Sequence, residues 1–293
     1  GMAYLVRRIM ENSSQVGVLT IMRSHKRKFK EKSSEIIHLE KKERGELEVD
    51  ETVSKLTDDF QSASPLRLYL DEHLADLKES FKQFDNELGR DFSGKQFSLS
   101  GSAQEIYSSS KPDLKVGSIR FATKEDTLKA VELLDQNYEK NLWCGEKYKS
   151  RVAILLRAAS LMYRDRLKLT HLIMFEAGKS VHEALADVDE AIDFLNYYAR
   201  EEERLQKGSD DLKSRGLVAV IAPWNFPLAI PCGMAAAALV AGNTVILKSA
   251  EQTPLIAEML TQLFYEAGLD QNTFIHLPGV GEDVGATLVS HPR

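Results

Sequence analysis

The hydrophobic pattern of the chain changes character at Gly216. From Gly216 to Leu247 thirty-two residues pass without a charged side chain, and the apolar positions fall into short runs parted by turn residues. LVAVIA (217–222) reads as a buried strand and residues 229–241 as a small-residue helix stopped by Gly242-Asn243. TVILK (244–248) is a second strand. TPLIAEMLTQLFYEAG (253–268) is a helix with Pro254 near its start and Gly268 at its stop. FIHLPG (274–279) is a third strand, and EDVGATLVS (282–290) opens a third helix. Strand and helix alternating at this spacing predict an α/β architecture with a doubly wound parallel sheet, three of whose strands are present. That order of elements is one that binds nucleotides.

Upstream the pattern is mainly helical. Residues 66–90 place Leu66, Leu70, Leu74, Leu77, Phe81, Phe84 and Leu88 at helical spacing and close on Gly89. The segment 96–122 carries strand-like pieces, QFSLS (96–100) and GSIRFA (117–122), between Gly, Ser and Pro. Helices are expected over 124–136, in one long element around 148–172, and around 180–206. Residues 1–12, GMAYLVRRIMEN, read as a helix already running at residue 2. From Ser13 to about Ser64 the chain is polar, with a basic block at 23–32 and a mostly acidic one at 40–51, the texture of a solvated connector.

Composition narrows the classes. A content of 43% hydrophobic and 28% charged residues is that of a soluble globular protein. A net charge of −6 gives no case for nucleic-acid binding. Two distant cysteines, Cys144 and Cys232, argue against a disulfide scaffold or a zinc site and fit a reducing compartment. The uncharged run exceeds the roughly 20 residues that would span a bilayer. Pro223, Asn225, Pro227 and Pro231 interrupt it, so no membrane span is expected. Arg7 and Arg8 break the first apolar residues, so no signal peptide is expected either.

Several residues are candidates for chemistry. Asn225 stands between two prolines at a strand-to-helix junction. A fixed neutral amide there suits an oxyanion, because it donates without titrating; asparagine is equally a common turn residue, and the pentapeptide supports both readings. Lys248 and Glu251 lie at the carboxyl end of the second strand, the edge where parallel sheets bind ligands. A carboxylate there suits ribose hydroxyls and repels a 2′-phosphate, favouring NAD; an ordinary loop ion pair is the alternative. Gly279, Gly281 and Gly285 would let backbone approach a diphosphate at a helix N-terminus, although their spacing is G-x-G-x-x-x-G. Tyr4, Arg7 and Arg8 share one helix face and suit a small carboxylate substrate, or form a solvated basic end. Neither cysteine has a thiolate-stabilising neighbour in sequence, and the seven histidines show no catalytic or metal spacing.

Together APWNFPL, AAAALVAGNTVILKSAEQTP, the YEAG helix end and PGVGEDVGATLVSHP resemble the aldehyde dehydrogenase superfamily over about residues 92–293. The segment 151–199 resembles its L-glutamate γ-semialdehyde (1-pyrroline-5-carboxylate) dehydrogenase branch. GMAYLVRRIMEN is similar to the last helix of the proline dehydrogenase module in the bifunctional proline utilization A family. The resemblance implies three parts: that helix at 1–12, a linker and connecting helix at 13–91, and the N-terminal part of an NAD-binding domain at 92–293. It implies that Asn225 is the oxyanion-hole amide and that Ile221, Ala222, Pro223, Trp224, Lys248, Glu251, Gly281 and Gly285 line the NAD site. Tyr4, Arg7 and Arg8 would bind substrate in the proline module, whose barrel carries FAD. The implied parent oxidises proline with FAD and glutamate semialdehyde with NAD+, as a homo-oligomer in the cytoplasm or peripheral to the membrane. The family's catalytic cysteine and general-base glutamate are expected beyond residue 293, so the chain is expected to be an internal fragment, inactive alone and prone to aggregate. A nucleotide-binding or assembly remnant without catalysis is the rival expectation.

Overall fold

The computed structural model describes residues 60, 62–208 and 212–293. The helix expected at 1–12, with Tyr4, Arg7 and Arg8, and nearly all of the polar connector lie outside the described residues.

Helix α1 spans Asp71–Phe84, shorter than the 66–90 pattern, and a single 3-10 turn, Asp85–Glu87, follows it. Leu88 is already extended, with φ −67° and ψ 143°, and Gly89 turns the chain at φ 79°. The apolar face of α1 packs on a later helix, with the rings of Phe84 and Phe175 stacked 5.6 Å apart. A small sheet follows, of β1 (Arg90–Asp91), β2 (Ala103–Tyr107) and β3 (Lys115–Arg120), in the order β1-β3-β2. The expected strand QFSLS is not one. Its Phe97 and Leu99 instead pack, part-buried, against a hydrophobic cluster, and AQEIY supplies the pairing to β3.

Four helices follow: α2 (Lys124–Glu139), α3 (Tyr148–Arg164), α4 (Arg166–Ala177) and α5 (Val181–Gly208). Thr123 and Asp126 make a reciprocal capping box that starts α2. The element expected over 148–172 is two helices. At Asp165 the backbone leaves helical values (φ −94°, ψ 13°), and the Asp165 carboxylate pairs with the Arg164 guanidinium at 2.7 Å. Gly178, at φ 69°, stops α4 in the left-handed conformation that glycine adopts without penalty.

The second sheet is the predicted one. Strands β4 (Leu217–Ile221), β5 (Thr244–Lys248) and β6 (Phe274–His276) are all parallel, in the order β4-β5-β6. Helix α6 (Ala229–Val240) joins the first two strands and α7 (Pro254–Glu266) the last two. Val245, Leu247 and Phe274 face one core with residues of α3, α5, α6 and α7. Ile246 and Ile275 face the other, with Ala130, Val131 and Leu134 of α2. A strand buried on both sides has no polar face to alternate with, which is why TVILK reads as a continuous apolar run. After β6 the chain makes a single π turn, Gly281–Gly285, before the short α8 (Ala286–Ser290), so the helix expected from residue 282 begins one turn late. Among the described residues no helix is long and apolar enough to cross a membrane.

Candidate functional site

The loop from β4 into α6 carries Asn225. Pro227 and Leu228 are buried, whereas Trp224, Asn225 and Phe226 are exposed. Helix α6 has no side-chain cap of its own at Leu228. Asp187 of α5 supplies one from outside, its Oδ1 accepting from the Ala229 backbone N–H at 2.7 Å. Its Oδ2 accepts from Lys179 Nζ at 2.9 Å, and the Lys179 ammonium lies 4.1 Å from the centre of the Phe226 ring. Burial raises the pKa of Asp187, while the lysine and the helix N–H groups work against that shift. The turn is therefore held from its inner side by an anchored anion. Asn225 itself makes no side-chain hydrogen bond among the described residues. A turn-building asparagine would bond local backbone; this one presents its amide to solvent on a pinned loop.

The carboxyl ends of β4 and β5 lie side by side, with Ile221 paired to Lys248 and the Lys248 carbonyl accepting from the Ala222 N–H at 2.9 Å. Lys248 runs buried to Glu251, with Nζ 3.3 Å from Oε1. The same Oε1 accepts the Gly281 N–H at 2.6 Å. Three separately predicted positions thus meet in one cluster, built from the end of β5, its following turn and the loop after β6. Glu251 Oε2 makes no bond among the described residues. Of the flanking residues Ala222 is buried and Pro223 half-buried, while Ile221 is exposed and Trp224 is 55% exposed. They form an apolar rim beside the cluster.

The glycines divide in two. A Cβ on Gly279 would stand 2.6 Å from Val284 Cγ2 and 3.1 Å from the Ala122 carbonyl oxygen, so this glycine serves close packing. A Cβ on Gly281 would meet only Glu251 Oε1 at 3.6 Å, and on Gly285 nothing within 4 Å. Gly281 thus leaves backbone open beside the carboxylate, while Gly285 is buried with free space only along its Cβ direction.

Neither cysteine belongs to this edge. Cys232 is fully buried in α6, its Sγ 3.6 Å from the Ala191 carbonyl, and burial pushes its thiol pKa up. Cys144 packs beside Gly242, just before β5 begins, at the opposite end of that strand. Sequence reading missed a further group: Ser249, Glu258 and His276 join through the histidine ring. Each lies on a different element, and no spacing rule links them.

A parallel sheet covered by helices on both faces, with a carboxylate, a lysine and open glycine backbone at its carboxyl edge, defines the doubly wound α/β class. The chain belongs to the aldehyde dehydrogenase family, whose family model matches residues 100–293. It is 35% identical over 232 residues to a 1-pyrroline-5-carboxylate dehydrogenase of Bacillus cytotoxicus, covering 74% of this chain and 44% of that protein. Among solved structures it is similar to proline utilization A from Bdellovibrio bacteriovorus inactivated by N-propargylglycine. The TM-score is 0.74 at 36% identity, over 80% of this chain and 26% of the other. It is likewise similar to the 1-pyrroline-5-carboxylate dehydrogenase from Thermus with bound NAD, at TM-score 0.74 and 32% identity, over 80% of this chain and 48% of that one. The chain thus spans less than half the length of the relatives it matches.

Proposed function

We propose that this chain carries the NAD+-binding front part of a dehydrogenase that oxidises glutamate semialdehyde, formed by opening of pyrroline-5-carboxylate, to glutamate. The single observation that carries the reading is the meeting of Lys248, Glu251 and the Gly281 N–H at the sheet's carboxyl edge. Glu251, with one oxygen committed to Lys248 and Gly281, offers the other to the vicinal hydroxyls of a ribose, and its charge repels a 2′-phosphate. Gly281 and Gly285 leave room for the diphosphate, and Ile221 to Trp224 form the apolar wall beside it. Bound there, NAD+ supplies a hydride acceptor. The residues of this chain bind and orient it. Asn225 donates to the oxygen that becomes an anion when the aldehyde carbon turns tetrahedral.

The names of the relatives support the substrate class. The same reading makes residues 92–293 the beginning of the NAD-binding domain, 13–91 a linker and connecting helix, and 1–12 the closing helix of a proline dehydrogenase module. In that module Tyr4, Arg7 and Arg8 would hold the carboxylate of proline, beside an FAD carried by its barrel. With Cys232 buried and Cys144 at the far end of β5, neither described thiol can attack an aldehyde at Asn225, so these 293 residues as such bind without turning over. Calorimetric titration of the full chain with NAD+ and NADP+ tests the reading. NAD+ is expected to bind more tightly than NADP+, and Glu251→Gln to weaken NAD+ by on the order of tenfold. No NAD+ binding, or an unaltered Glu251→Gln variant, overturns it. Reduction of NAD+ by the chain with glutamate semialdehyde would overturn the claim of inactivity.

A further inference from the structure

Immediately after Lys248, the chain places a hydroxyl in a buried hydrogen-bonded file. Ser249 Oγ lies 2.9 Å from His276 Nε2, and His276 Nδ1 lies 2.8 Å from Glu258 Oε2. Glu258 Oε1 accepts from Gln262 Nε2 at 2.7 Å, and the two amides of Gln262 and Gln96 meet at 3.1 Å. Ser249 is 2% exposed, His276 6% and Glu258 5%. Gly94 closes the far end, its backbone so near that a Cβ would stand 2.8 Å from Glu258 Oε1.

The order serine–histidine–carboxylate is that of a nucleophile file, but a serine this buried meets no substrate. The file has a mechanical meaning instead. Ser249 sits between Lys248 and Glu251 on the β5 turn. His276 ends β6, five residues ahead of Gly281, and Glu258 is in the second turn of α7. A carboxylate accepts only, so Nδ1–H donates to Glu258, and Nε2 is left to share a hydrogen bond with the Ser249 hydroxyl. The two bonds hold the ring in place and join the two loops whose separation sets the Lys248–Glu251–Gly281 cluster.

We propose that His276, acting through Ser249 and oriented by Glu258, is a positioning residue that fixes Glu251 for the ribose and thereby sets the preference for NAD+ over NADP+. The inference rests on the nucleotide reading given above. Without the Ser249 bond the β5 turn shifts against the β6 loop, and Glu251 loses its fixed place beside the Gly281 N–H. The carboxylate then holds a ribose less well and repels a 2′-phosphate less.

The test is calorimetric titration of the full chain, wild type and variants, with NAD+ and NADP+, together with thermal midpoints. Ser249→Ala leaves the Glu258–His276 pair intact and is expected to weaken NAD+ by roughly threefold to tenfold, the worth of one hydrogen bond, with a smaller loss for NADP+. His276→Leu, which removes both bonds, is expected to do the same with a lowered midpoint. His276→Gln, whose amide can donate to Glu258 and accept from Ser249, is expected to restore the NAD+ to NADP+ ratio. A merely structural role would lower the midpoint and leave that ratio unchanged, and this result overturns the proposal. If NAD+ binds and Glu251→Gln weakens it while Ser249→Ala equals wild type, the positioning role alone falls. If wild type binds no NAD+, both readings fall.

Discussion

The carboxylate of Glu176 accepts the backbone N–H of Leu255 at 2.7 Å, and its second oxygen accepts that of Ile256 at 3.0 Å. Glu176 lies at the end of α4 and is buried. It closes the N-terminus of α7, whose own N-cap residue, Thr253, makes no side-chain cap. Burial pushes its pKa up to about 8, against the two amides that favour the anion. Together with Asp187 on Ala229, this gives both helices that connect the parallel strands their caps from α4 and α5.

Removing that cap strands two buried donors. Glu176→Ala is expected to cost about 2–4 kcal/mol in urea denaturation near neutral pH. Glu176→Gln keeps one acceptor but turns an NH2 toward the other backbone N–H, and is expected to cost about 1–2 kcal/mol, less than the alanine variant. Equal losses for the two variants would show that the hydrogen bonds are not what matters.

His171 carries a pH signature. It is fully buried in α4, its Nε2 is 3.1 Å from Ser80 Oγ, and its ring lies 4.0 Å from that of Phe81 and 5.7 Å from that of Phe84. Burial drives its pKa down from the ordinary 6.5 to about 4, against the opposing pull of Asp85. Between those values the unfolded chain binds the proton and the folded chain does not. Stability from this group is therefore complete above its unfolded pKa and declines as pH falls from there through about 4. His171→Gln is expected to flatten the acid limb of a stability-versus-pH curve, and an unchanged limb would refute the assignment.

Asn225→Ala separates the two original readings of that residue. An exposed amide with no local bond contributes little to folding, so the stability change is expected to stay within about 0.5 kcal/mol. A loss well beyond that would return Asn225 to the role of turn builder.

The glycines should part ways. Gly279→Ala forces a methyl group against Val284 and the Ala122 carbonyl and is expected to destabilise by about 1–3 kcal/mol. Gly285→Ala meets open space at helical dihedrals, φ −62° and ψ −50°, so stability is expected to hold or rise. On the proposed nucleotide reading it weakens NAD+ nonetheless. Titration and denaturation of the same two proteins check both statements.

What could be read in advance follows from range. TVILK became β5 residue for residue, because burial on both faces writes itself into five consecutive apolar positions. Lys248 and Glu251 could be singled out because the edge of a parallel sheet is a local rule, and Gly281 because glycine is a local signal; the structure brings the three together. The α1 pattern ran past both ends of the helix, since Leu66 and Leu88 are apolar without being helical. QFSLS misled because an extended segment can bury Phe and Leu with no partner strand. Asp187, Glu176 and His276 reach partners on elements distant in sequence, and nothing periodic announces such a bond. The sharp composition change at Gly216 likewise says nothing of the contacts that cross it.

That change of composition has a practical meaning for anyone dividing the chain. A recombinant piece starting at Gly216 would keep every described strand of the parallel sheet yet leave behind Glu176 and Asp187, the carboxyl groups on which α7 and α6 begin. Supplying residues 62–208 as a separate polypeptide should then restore it, since what is missing is held by hydrogen bonds and apolar contact rather than by the peptide link. The compositional seam at Gly216 is therefore a place where the fold is tied together, not one where it divides.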